Sequence, residues 1–376
     1  MKLTVQVKLK PTAAQSAALF LTLETANAAA NRLSGLAWQK KEFRQFPLHR
    51  LCYRQIRAEF PLSAQIVVRL NAKVADAYKL DEKTQRCFRP HGSISYDRRI
   101  LDFQMDVSTV SIWSVAGRIK HLPFVCGERQ RKLLELPHGE SDLILRNGKW
   151  FLNVTVDVPE EREQEAVGWL GIDLGLVNLA QSSDGRTFGD AKKVAGIRDR
   201  RWRQRKRLQA KGTKSAKRVL NRISGREHRF VGDVNHCVSK QICGVAKRTG
   251  RGIAMEDLRY IRERIRATRG QRRKLHSWAF ADLQAKITYK SKLVGVPVKF
   301  VDPRNTSRTC PTCGSVSKNN RPTRDLFVCQ SCGFTADADT NAACNIAGRG
   351  AFTHPHAEAR AYGKIHECSH LQSPSL

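Results

Sequence analysis

Asp173 sits in GWLGIDLGLVNLA (168–180), a lone carboxylate among apolar residues and glycines in a chain whose formal net charge is +33. Burying an unpaired charge in a strand costs far more than its neighbours return, so the position asks for a function. Strand alternation puts Leu170, Ile172 and Leu174 on one face and Gly171, Asp173 and Gly175 on the other. The flanking glycines would leave the carboxylate on bare backbone, where a cation and a phosphate can approach. Glu256 ends the apolar run of RGIAMEDL, with Asp257 pointing the other way as a helix cap or solvated charge. In TADADTNAACNIAGRG, Asp337 and Asp339 would be about 200° apart on a helix. Asp339 aligns with Ala343, Ile346 and Ala347, the face that packs inward, whereas Asp337 suits an N-cap. Carboxylates that converge suit magnesium, and two such ions about 3.5–4 Å apart stabilise both oxygens of a phosphodiester displacement. Taken singly, Asp173, Glu256 and Asp339 have ordinary explanations as turn, strand-end and cap residues. Convergence is what would make them a site.

A second chemistry is written in the cysteines. Cys310 and Cys313, then Cys329 and Cys332, form two CxxC pairs fifteen residues apart, each followed by glycine (Gly314, Gly333). That spacing suits tetrahedral zinc closed by four thiolates, a structural site with no open position for catalysis. His354, His356, His366, Cys368 and His370 could suggest another site, but they lie in a short polar tail with no helix or strand pattern and are read as disordered. Cys52, Cys87, Cys126, Cys237, Cys243 and Cys344 lack metal-like pairing and are expected to be buried free thiols.

The charge balance names the class of partner. With 67 Lys+Arg against 34 Asp+Glu and a pI near 10.3, the chain should bind a polyanion, nucleic acid first. RDRRWRQRKRLQAKGTKSAKR (198–218) holds eleven basic residues and one acid, and RYIRERIRATRGQRRK (259–274) holds eight basic residues. Basic runs are usually solvated faces, yet these two flank the carboxylate motifs, which suits gripping a backbone. Arg201, Trp202 and Arg205 in the first run and Tyr260 in the second are candidate contacts, the aromatics by stacking. The strand-like N-terminus lacks a signal-peptide core, and no stretch of roughly 18 uncharged apolar residues occurs, so a cytoplasmic protein, nucleoid-associated when on DNA and without membrane contact, is expected.

Positioning these groups requires particular elements. MKLTVQVKLK reads as a strand, TAAQSAALFLTLETANAAANRLSGLAWQ as a helix capped near Thr12, and LHRLCYRQIRAEF and SAQIVVRLNAKVADAYKL as two helices separated by Pro61. Strands follow at SISYD, at TVSIWSVAGRIKHLPF and in a hairpin turning at Asn147-Gly148. The acidic PEEREQE (159–165) reads as a linker. Beyond it come antiparallel strands around Asp184-Gly185, one long basic helix from about Arg198 to Lys247, the strand GIAMED and a helix in SWAFADLQAKITYKSKLVG. The strand VPVKFVD, the cysteine insert and the helix DTNAACNIAG complete the order. Without the insert this is three strands, helix, strand, helix, strand, helix, the order of an α/β RNase H-like fold.

GIDLGLVNLA, FVGDVNHCVSKQI, AMEDL, SWAFADLQAKITYKSK, VDPRNTSRTCPTCG and VCQSCGFTADADTNAACNIAG occur in that order, and as an ordered set they resemble the TnpB family, long labelled OrfB transposases of insertion sequences. The resemblance covers nearly the whole chain and is weakest in the first 165 residues. It implies an RNA-guided DNA endonuclease related to type V CRISPR effectors, using one RuvC-type site with magnesium, structural zinc, and a guide RNA from the transposon end. Base pairing would read the double-stranded DNA target and the protein a short adjacent motif. The implied triad is Asp173, Glu256 and Asp339, the zinc ligands are Cys310, Cys313, Cys329 and Cys332, and Arg308 is an implied contact to the scissile strand. The implied domains are a wedge β-barrel over 1–165 with a helical recognition insertion at about 12–85, a RuvC domain over 166–350 with the zinc-binding insert at 305–335, and a disordered tail over 351–376. Gln65 and Arg69, on one helix face, are candidates for reading the adjacent motif. Two other readings stand beside this one: a nuclease-silent RNA-guided DNA-binding protein, and a transposase acting directly on element ends, since fold does not dictate function. The sequence leaves open whether the chain acts as a monomer or a dimer.

Overall fold

Alternation in the N-terminal stretch produces β1 (Lys2–Leu9), whose Val5, Val7 and Leu9 turn into a core. The computed structural model describes residues 1–175, 177–258 and 280–352. They fall into two units, Met1–Pro159 and the chain from Glu160 onward. In the first, β1 is followed by α1 (Ala13–Lys40), α2 (Gln45–Glu59) and α3 (Ala64–Leu80), then β2 (Ile94–Tyr96), β3 (Leu101–Gln104), β4 (Thr109–Ser114), β5 (Gly117–Val125), α4 (Glu128–Leu134), β6 (His138–Arg146) and β7 (Lys149–Asp157). Thr12 and Gln15 form a reciprocal capping box that starts α1. Asn147 and Gly148, at φ 52° and 68°, make the two-residue turn between β6 and β7. The strands pair in the order β2-β6-β7-β1-β5-β4-β3, all antiparallel. Because β2 and β3 lie at opposite ends of that order yet only four residues apart in sequence, the sheet must curl back towards itself.

The second unit holds β8 (Trp169–Asp173), β9 (Ala180–Ser182), β10 (Thr187–Phe188), α5 (Ala191–Lys211), α6 (Lys214–Ile223), α7 (Arg226–Arg248), β11 (Gly252–Glu256), α8 (Phe280–Leu293), β12 (Val298–Val301), β13 (Leu326–Val328), β14 (Thr335–Asp337) and α9 (Ala338–Phe352). Its main sheet runs β10-β9-β8-β11-β12, with β9 antiparallel to both neighbours and β8, β11 and β12 mutually parallel. This is the 3-2-1-4-5 order of the RNase H-like arrangement. Leu170, Ile172 and Leu174 join Ile253 and Met255 in a core closed by Val238 and Ile242 of α7 and Leu283 and Ile287 of α8. The other face of β8 is covered by α9. A Cβ built on Gly171 would lie 1.9 Å from the carbonyl oxygen of Ala343 and 2.6 Å from the amide nitrogen of Ala347.

Several expectations need correction. Gly171 is not open backbone awaiting a ligand, because α9 packs directly on it. The single basic helix is three helices: Gly212 (φ 62°) ends α5, Thr213 caps α6, and Gly225 (φ 71°) precedes α7. TVSIWSVAGRIKHLPF folds back at Gly117 (φ 108°) into β4 and β5. The acidic 159–165 stretch packs on the second unit: Gln164 donates its amide to the Gly295 carbonyl at 2.9 Å and Glu161 pairs with Lys247, so the unit division falls after Pro159 rather than 165. Of the six unpaired cysteines, Cys52 and Cys243 are buried, but Cys87 and Cys237 are exposed, one in the coil after α3 and one on the outer face of α7. The second basic run with Tyr260, and the histidine-bearing tail from residue 353, lie outside the described residues. Among the described residues no helix is long and apolar enough to cross a membrane.

Candidate active site and metal centre

Three elements bring the acidic residues to one end of the sheet. The β8–β11 register pairs Ile172 with Met255, so the next step places Asp173 beside Glu256 at the ends of adjacent parallel strands. Both belong to the face that α9 covers: Gly171 meets Ala343, and Gly350 lies against Ala254. The first turn of α9 carries Asp339, which is 8% exposed. Glycine at 171 and small residues along α9 therefore allow the close approach that draws Asp339 towards Asp173. Asp337 ends β14 and accepts the backbone N–H of Thr340 at 2.8 Å, which leaves Asp339 as the inward acid.

The electrostatics express that crowding. Burial, then the charges of Glu256 and Asp339, push the Asp173 carboxyl up to about 7, against a smaller opposing pull from Arg321. Burial also raises Glu256, offset in part by a hydrogen bond from Thr306 and by Arg349. Asp339 accepts from Asn178 Nδ2 at 3.0 Å and from Arg321 Nη2 at 3.4 Å, and Arg324 Nη2 lies 3.6 Å away. Asn178 gets there because the turn after β8 folds back, Gly175 donating to the Asn178 carbonyl at 3.1 Å. Gln284 of α8 donates to the backbone carbonyl of Glu256 at 2.7 Å. Asn178, Gln284, Thr306, Arg321 and Arg324 were not singled out in the sequence, since each meets its acid from a loop or helix remote from that acid in the chain. The donor set is hard oxygen, with the crowding of negative charge at Asp173 only partly offset by Arg321, which fits a divalent cation such as magnesium.

The cysteines form a second centre. Sγ atoms of Cys310, Cys313, Cys329 and Cys332 all lie within 4.8 Å of one another, with 3.7 Å between Cys310 and Cys332 and 3.5 Å between Cys313 and Cys329. Gly314 and Gly333, both at φ 74°, close the two turns by donating to the Cys310 and Cys329 carbonyls. Backbone N–H groups of Cys332 and Ser331 point at Cys329 Sγ and hold its thiol down to about 6. The Phe334 amide favours a Cys332 thiolate, yet the neighbouring sulfurs outweigh it and push that thiol up to about 12. Four sulfurs this close cannot all ionise without a cation, and the cluster can hold a metal such as zinc. Phe327 and Ala338 pack against Cys310 and Cys329 beneath it.

The remaining candidates are scattered. Gln65 donates to Asp97, and Arg69 bridges Asp97 and Glu140 within the first unit. Arg201 donates to Gln204, Arg205 pairs with Glu227 at 2.7 Å, and Trp202 is 40% exposed with the Lys206 ammonium 5.5 Å from its ring. Arg308 is exposed at the base of the cysteine insert.

Residues 280–346 match the family model described as Cas12f1-like, TNB domain. A TnpB-like protein of Methanocaldococcus jannaschii is 33% identical over 46% of this chain and 66% of its own length. The chain belongs to the TnpB family. Other relatives of this TnpB-family chain include the CRISPR-associated endodeoxyribonuclease Cas12f1 of Sulfoacidibacillus thermotolerans, 31% identical over 66% of this chain and 60% of the relative. The putative RNA-guided DNA endonuclease InsQ of Escherichia coli is 26% identical over 54% of each. The matched regions thus span less than two thirds of these relatives. A solved Cas12f1–sgRNA–target DNA complex contains a chain of the same fold, with TM-score 0.60 at 16% identity, covering 89% of this chain and 83% of that one.

Proposed function

We propose that this chain is an RNA-guided, magnesium-dependent DNA endonuclease encoded by a transposable element, cutting double-stranded DNA beside a short protein-read motif with a single RuvC-type site. The observation that carries the reading is the gathering of Asp173, Glu256 and Asp339 from β8, β11 and α9 in a chain of net charge +33. The names of the relatives, RNA-guided DNA endonuclease and Cas12f1 among them, support the substrate and the guide.

Asp173, Glu256 and Asp339 would supply the ligands for magnesium, which when bound activates the attacking water and offsets charge on the leaving oxygen. The chain's own part is to hold those oxygens: Gly171 seats α9, Asn178 holds one oxygen of Asp339, and Thr306 holds Glu256. Arg321 and Arg324 keep positive charge beside Asp339. Zinc on the four cysteines would order the 305–335 insert and take no part in the chemistry. The basic faces of α5 and α6, including Arg201, Trp202 and Arg205, together with Arg308, would grip RNA and DNA, and Gln65 and Arg69 would read the adjacent motif. The guide would come from the transposon end and the complex would work in the cytoplasm.

The test is to sequence the RNA that co-purifies when the protein is expressed with its native flanking DNA, then to assay cleavage of the target it specifies. One RNA with a constant scaffold and a variable end is expected, with cleavage abolished in Asp173→Ala while RNA binding persists. Full cleavage by that variant removes the assignment, and a heterogeneous smear of RNA removes the guide.

A further inference from the structure

The segment 302–309, between β12 and the first cysteine pair, contains none of the three gathered acids but is tethered to the helix that carries one. Asn341, Asn345 and Arg349 recur every four residues, so they stack along one face of α9. Asn345 Nδ2 donates to the backbone oxygens of Thr306 and Thr309, both at 2.8 Å. Asn341 Nδ2 reaches the Thr309 oxygen at 3.2 Å, and Arg349 Nη1 the Asp302 oxygen at 2.6 Å. The segment also closes on itself, with the amides of Arg308 and Thr309 donating to the Asn305 carbonyl at 2.9 and 3.0 Å, and Asn305 at φ 59°. Inside this turn Thr306 is 4% exposed, and its hydroxyl donates to the carboxylate of Glu256. The Pro303 carbonyl, at 3.2 Å, is the competing acceptor. A hydroxyl has one proton to give, and a charged acceptor makes the stronger bond, so the carboxylate takes it.

A tether that served only to fold the cysteine insert would not need a buried hydroxyl aimed at Glu256. We infer that Thr306 is a positioning residue for Glu256, locked in place by Asn345, so that α9 directs the carboxylate of β11 as well as carrying Asp339. The inference deepens the function proposed above and rests on the three acids being a divalent-cation site. Partners that orient a metal ligand are worth about 10–100-fold in metal affinity, and the same scale applies here.

The experiment titrates Mn²⁺ into the zinc-loaded full chain by calorimetry, for wild type, Thr306→Val, Thr306→Ser and Asp173→Asn, with thermal unfolding of each as a control. Thr306→Val conserves volume, so it should unfold within a few degrees of wild type while binding Mn²⁺ about tenfold more weakly. Thr306→Ser, which keeps the hydroxyl, should bind within about twofold of wild type. Wild-type affinity in Thr306→Val overturns the positioning role. Equal losses in the Val and Ser variants overturn it too, because the hydroxyl would then not be the active feature. If Asp173→Asn binds Mn²⁺ as wild type does, the carboxylate site itself is wrong and the inference falls with it.

Discussion

At Asp173, burial and two neighbouring carboxylates act together against ionisation, and the side chain titrates near 7 rather than 3.8. Between these values the folded protein holds a proton that the unfolded chain has released. The contribution of Asp173 to the stability of the cation-free second unit therefore falls as pH rises from about 4 to 7 and levels off above. A shift of this size corresponds to at most roughly 4 kcal/mol at 1.4 kcal/mol per pKa unit, and partial solvent access at Asp173 brings the expectation to about 2 kcal/mol. Asp173→Asn should accordingly raise the unfolding midpoint above pH 7, with no gain near pH 4. Equal midpoints at pH 8, measured by calorimetry on zinc-loaded protein with no magnesium or manganese added, would show that the carboxylate bears no such strain. The residue types were legible in sequence, down to the choice of Asp339 over Asp337. Asn178, Thr306, Arg321 and Arg324 were not, because uncharged or surface-like residues gain meaning only from the partner they meet.

Among the elements, the contact of α9 with β8 decides whether a site exists. A methyl group at Gly171 would enter the backbone of α9 at Ala343 and Ala347, and backbone cannot step aside as a flexible side chain can. Gly171→Ala should cost about 3 kcal/mol or more and lower the unfolding transition of the second unit, while the first unit keeps its own. Unchanged melting would mean that α9 rides farther from the sheet. Helix and strand identities were largely readable, since Thr12, Asn147-Gly148 and the alternation of β1 are local signals. The errors came where one glycine decided the path: Gly212 and Gly225 break the basic helix, and Gly117 turns one expected strand into two. A glycine's φ is set by what the chain must reach, which local pattern does not contain.

For the molecule as a whole, the surplus of 67 basic over 34 acidic residues dominates. Affinity for nucleic acid should fall about 1000-fold or more between 50 and 200 mM salt if six or more phosphates are neutralised. Asp173→Ala should leave that slope unchanged, because removing one acid changes little in a field of net charge +33. A shallow slope in filter binding or anisotropy would mean that base or shape contacts carry the binding instead.

Composition, motif order and cysteine spacing by themselves pointed to a polyanionic partner, to the family and to seven candidate ligands, because these depend on residue type and on separations along the chain. Tertiary structure alone decided that Asp173 and Glu256 stand side by side, that Gly171 is a seat for α9 rather than an opening, and that Thr306 reaches Glu256. Those outcomes depend on sheet register and on the distance of approach between elements remote in sequence, and neither is encoded in any single stretch of residues.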